Sequence, residues 1–184
     1  MRNIYLLLFA LPIILNGCTK NNQGQPDDFA YLEVNQTYVL HSSSDQALQT
    51  YDIDNDGQVD WGFNYSLDIY GLATYGSNYN SFIKINSNAV KILPINYTVS
   101  STEFYSSIGT RIHIWGELDN NIHVNPAVLG NGDFYIGFKS QNPTFTNTFY
   151  GWAKLNLSAD GKTLIVKDMA INTINGGSIN VGQH

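Results

Sequence analysis

Cysteine is almost missing from this sequence: Cys18 is the only one in 184 residues. No disulfide can form within the chain, and whatever folds after residue 18 has neither a thiol nucleophile nor a Cys-based zinc site. Charge is sparse as well. Only 13% of residues are charged, with nine Lys plus Arg against 15 Asp plus Glu and a net charge of −6. There is no basic patch, so nucleic acid is not expected as a partner. Glutamate is confined to Glu33, Glu103 and Glu117. The run "ELD" at Glu117 lacks the third carboxylate of a jelly-roll glycosidase, and paired carboxylates are what that chemistry needs. The histidines, His41, His113, His123 and His184, are scattered without a zinc-like pair. Nucleophile elbows and phosphate-binding glycine loops are missing too. The expectation is a non-catalytic protein, with a glycoside hydrolase as a distant alternative.

What is present begins with an address. "MRNIYLLLFALPIILNGC" sets an Arg before an apolar run, Ile4 to Leu15, that is too short to span a bilayer as a helix. Residues 1–17 therefore read as a secretory signal. "LNGC", Leu15 to Cys18, resembles a bacterial lipobox, which implies acylation of Cys18 and cleavage before it. Two or three acyl chains would anchor stably, at about 0.8 kcal/mol per buried CH₂. Residues 18–28, with "TKNNQGQPDD", form a polar tether. Thr19, rather than Asp, after the cysteine favours the outer membrane.

Residues 29–184 suit one domain with its own core. No segment shows a convincing helical period, whereas strand-like alternation recurs between turn signals. In "VDWGFNYSLDI", Val59, Trp61, Phe63, Tyr65, Leu67 and Ile69 share one face. Roughly nine such runs predict an all-β, antiparallel two-layer β-sandwich, jelly-roll or concanavalin/laminin-G-like. Asp160-Gly161 between two alternating runs predicts a hairpin, and the C-terminal third reads as a three-stranded meander.

Several short motifs carry a resemblance: Gly137-Phe138-Lys139, Tyr150-Gly151-Trp152, Asp168 to Ile171, Ile179 to Gly182, and the Asp-rich Asp52 to Gly57. Together they resemble a compact all-β domain of exported and surface-anchored bacterial proteins, over residues 46–182. Met169-Ala170-Ile171 departs from the aromatic pattern of that group. The resemblance implies a fold and no assigned activity.

Four of the acidic residues crowd into "DIDNDGQVD", Asp52–Asp60. Asp52, Asp54 and Asp56 stand at loop positions 1, 3 and 5, the Gln58 carbonyl at 7 and Asp60 at 9, with Gly57 allowing the sharp turn. Calcium takes six to eight oxygen ligands at about 2.3–2.6 Å, and this spacing predicts a structural Ca²⁺ site. A helix-loop-helix calcium hand would need Glu at position 12, where Phe63 stands. The plainer alternative is a solvated Asp/Asn turn.

A second expectation concerns aromatics. If "TRIHIW", "FYIGFK" and "FYGWAKL" are neighbouring strands, Arg111, Trp115, Tyr135, Tyr150 and Trp152 share the sheet face opposite the core, with Trp152 lying over Gly137. Such a face suits a glycan or another envelope protein. The sequence thus predicts a lipid-anchored cell-envelope module with structural calcium, and a glycan-binding surface lipoprotein as the alternative.

Overall fold

The computed structural model describes residues 28–42, 44–66, 71–74, 81–83, 90–103, 111–112, 117–118, 121–122, 128–142, 144 and 146–184. Cys18 and the expected signal and tether to residue 27 lie outside them, as do Leu67, Ile69, His113, Trp115 and His123. The strands are β1 (Phe29–Val39), β2 (Gln46–Tyr51), β3 (Trp61–Ser66), β4 (Gly71–Thr74), β5 (Ser81–Phe82), β6 (Ile92–Leu93) and β7 (Thr98–Val99). They continue as β8 (Arg111–Ile112), β9 (Glu117–Leu118), β10 (Asn121–Ile122), β11 (Asp133–Gln141), β12 (Thr148–Leu157), β13 (Thr163–Asn172) and β14 (Ile179–Asn180). No helix occurs among the described residues.

The protein is an all-β sandwich, and every pairing between these strands is antiparallel. The main sheet runs β1-β13-β12-β11-β5, with β6 also on β11; the second runs β2-β3-β4-β8. Alternation explains why the two layers meet. From β3, Trp61, Phe63 and Tyr65 point inward and are fully buried; from β11, Phe134, Ile136 and Phe138 join them in the same buried core. Trp61 stacks on Phe138 with ring centroids 5.5 Å apart. Tyr65 crosses the interface to donate to the Gly161 carbonyl at 2.6 Å.

The expected meander is present as β11-β12-β13, and its hairpin is closed at Asp160-Gly161. Gly161 takes a positive φ of 66°, while the Asp160 carboxylate accepts from the Lys162 N–H and the Ser158 hydroxyl. Its regular phase breaks once. Lys154 faces Asp168 but Leu155 faces Val166, so Lys167 is extra. This bulge lets both Val166 and Met169 face the core.

The main sheet is covered on its other face as well. Ile83, Leu93, Val99, Ile179 and Val181 pack over Tyr150, Trp152 and Ala170 in a second buried cluster. Ile83 and Leu93, rather than Trp152, fill the space above Gly137. The ring that covers a cross-strand glycine is Phe138, directly opposite Gly151 in register. An added Cβ at Gly151 would fall on that ring and 2.6 Å from the Ala170 carbonyl oxygen. Backbone cannot swing away as a flexible side chain can. Gly151→Ala is therefore expected to destabilise the fold by about 1–3 kcal/mol through overpacking, measured as a lower denaturant midpoint with unchanged slope.

Candidate metal centre

The turn joining β2 to β3 is built by its own aspartates. Asp60 N–H donates to the Tyr51 carbonyl at 2.8 Å and closes the hairpin. The Asp60 carboxylate turns inward, accepting from the N–H groups of Ile53 at 2.6 Å and Asp54 at 3.2 Å. Asp52 accepts from the Asp56 N–H through one oxygen and from the Gly57 N–H through the other. Asn55 and Gly57 both take positive φ, 60° and 88°, which an Asn and a Gly tolerate best. Ile53 is buried in the core between these polar residues, fixing the turn to the sandwich.

This folding brings Asp52, Asp54 and Asp60 together, with one ligand oxygen from each within 4.8 Å of the others. Asp56 is outside that trio. Its carboxylate accepts from the Gln58 N–H at 2.7 Å. Asp60 is buried. Desolvation, aided by the negative charges of Asp54 and Asp56, pushes its pKa up to about 7 against the pull of the Ile53 and Asp54 N–H groups. Asp54 is raised as well, by desolvation and then by Asp56. Carboxylates so close favour protonation of one member unless a cation replaces the proton. A hard divalent ion accepting oxygen ligands fits this donor set.

The expected aromatic face does not assemble. β8, which carries Arg111, pairs with β4 in the second sheet rather than beside β11. Trp115 lies outside the described residues. Tyr150 and Trp152 are only 5% and 2% exposed. The Trp152 indole N–H donates to the Gln183 carbonyl at 3.1 Å, and Tyr135, half-buried, packs edge-on against it at 5.7 Å. Those rings belong to a core and form no open platform. The cause is the C-terminal segment folding back with β7 and β14 over the sheet. Conversely, no functional role was expected of Ser140, Gln141, Asn142 and Asn147, which lie beside the Asp-rich turn.

No family model matches this chain, and no curated protein or solved structure matches it either.

Asp60 yields a pH dependence with a definite sign. Its folded pKa lies above its ordinary value of 3.8, so between about pH 4 and 7 the native state holds a proton that the unfolded chain has released. In EGTA, stability is expected to fall as pH rises through that window, by about 2 kcal/mol once partial solvent screening is allowed for. Asp60→Asn should flatten the slope in a series of urea melts.

Proposed function

We propose that the chain is a lipid-anchored module of the bacterial cell envelope whose β-sandwich carries one structural calcium ion. It serves a non-catalytic structural or binding role. The observation that carries the calcium reading is the convergence of Asp52, Asp54 and Asp60 at the rim of the core, where Asp60 is buried and flanked by Trp61. In this reading the ion replaces the proton on the trio and draws the turn onto Ile53. Further oxygens come from backbone carbonyls and water, as the six to eight ligands of calcium require. Support for the anchor is the Leu15–Cys18 sequence alone.

Calcium sites of extracellular modules bind with dissociation constants of about 10⁻⁴–10⁻³ M. With calcium tenfold above that constant, binding to the native state alone should add about 1.4 kcal/mol, read as a rise in Tm that EGTA reverses. Asp54→Asn and Asp60→Asn are each expected to abolish the rise while leaving a cooperative melt. A Tm indifferent to calcium in the wild-type chain would overturn the reading. For the anchor, labelled palmitate should enter the wild-type chain and not Cys18→Ser, and that variant should leave the membrane fraction.

A further inference from the structure

We propose that the end of the sandwich at which the expected tether joins it rests on the membrane, with Ile174 set into a zwitterionic lipid surface. This contact presupposes the lipid on Cys18 proposed above. Phe29 opens β1 opposite Asn172, and Val39 closes it opposite Thr163, so the two ends of the main sheet lie a strand length apart. The chain enters at the first of them. There the Thr173 N–H donates to the Asp28 carbonyl at 2.8 Å, one residue before Ile174.

Reach decides which end faces the lipid. Cys18 and Asp28 are ten residues apart; a segment of that length spans at most about 35 Å fully extended and about 16–19 Å as a flexible coil. β12 and β13 have ten residues each, about 33 Å at ~3.3 Å per residue. Setting the Asp160-Gly161 hairpin on the membrane would stretch the tether along the whole domain, almost to its limit. Setting the Asp28 end there leaves it slack.

The connections at that end suit an interface. Residues 142–147, between β11 and β12, and 173–178, between β13 and β14, include no charged residue. The two are tied together: the Thr148 N–H donates to Asn175 Oδ1 at 2.8 Å, and the Gly176 N–H to the Thr148 carbonyl at 2.7 Å. Ile174 stands out from this rim, 49% exposed. Its N–H donates to Asn172 Oδ1 at 2.8 Å and its carbonyl accepts from the Gly177 N–H at 2.9 Å, so the backbone that presents it is already satisfied. Amides and hydroxyls can hydrogen-bond headgroup oxygens while an apolar side chain at the boundary leaves water. The opposite hairpin instead carries Asp160 and Lys162. The Asp-rich turn lies beside Asn142 and Asn147, and without a cation its carboxylates repel anionic lipid. A zwitterionic surface is the one this end fits.

The test uses the chain cleaved before Cys18, with a maleimide lipid joined to that thiol, on phosphatidylcholine nanodiscs carrying a trace of gadolinium-chelating lipid. Paramagnetic relaxation of the amides, read by NMR, reports how near each residue lies to the surface. The Ile174 and Gly176 amides are expected to relax several times faster than those of Gly161 and Lys162. Ile174→Asp should slow relaxation at Gly176 and Gly177 by roughly two- to fivefold, the worth of half an isoleucine side chain leaving water, with Tm unchanged. Replacing part of the phosphatidylcholine by phosphatidylglycerol in EGTA should slow it as well. The proposal is overturned if the two ends relax alike, if Ile174→Asp relaxes as wild type does, or if phosphatidylglycerol speeds relaxation. Because the lipid is attached chemically, these outcomes do not depend on acylation in the cell. Absence of labelled palmitate at Cys18 would remove the anchor reading and this one with it, whereas equal relaxation of the two ends removes this one alone.

Discussion

Trp61 is the contact on which both layers depend. Its ring contacts Tyr51 of its own sheet, stacked at 5.7 Å, and Phe138 of the other, stacked at 5.5 Å, with Phe63 tilted against it and Phe82 edge-on. Large flat side chains bury 150–250 Å² each and gain further from ring contact. A domain with so little surface charge must draw its stability from such burial. The indole N–H is left without a partner among the described residues, at a cost of about 1–3 kcal/mol, and the stack tolerates it. Because Trp61 directly follows Asp60, the order of the core and the order of the turn are one problem.

The layer structure was legible because strand period is a local property. The alternation in β3 and β11 identifies Trp61, Phe63, Tyr65, Phe134, Ile136 and Phe138 as one buried set, and they meet in space. The opposite face of the main sheet was not legible by the same means. Tyr150 and Trp152 alternate out of the core, and alternation says only that they face away from it. Their cover comes from Ile83, Leu93, Val99, Ile179 and Val181, segments distant along the chain and too short to carry a period of their own. Strand order was hidden for a related reason. Arg111 and Ile112 belong to a run patterned like a neighbour of β11, yet they pair into the second sheet, and pairing partners leave no mark in a single strand's sequence.

The Asp-rich turn shows the reverse case, where local chemistry was informative and still incomplete. Spacing alone brought out Asp52, Asp54 and Asp60, whose oxygens converge. Asp56 stands outside that trio, its carboxylate accepting the Gln58 N–H. Position 5 of the loop precedes Gly57, where the chain turns through a positive φ, and a carboxylate there is best placed to receive the next free N–H groups. Aspartate in a turn has this second employment, and Asp52 and Asp60 combine it with their place in the trio.

These two uses divide the turn between two sides. Asp52, Asp54 and Asp60 converge on one, while Asp56 and Gln58 lie beside Gln141 and Asn147 on the other, with Asp60 between them at the core. A cation on the first side would remove the mutual repulsion that raises Asp54 and Asp60, and so hold the backbone that carries the second. Both faces of the main sheet are committed to packing, so the rim of the sandwich, where Asp52, Asp54 and Asp60 converge, is where this fold leaves polar side chains free of the core.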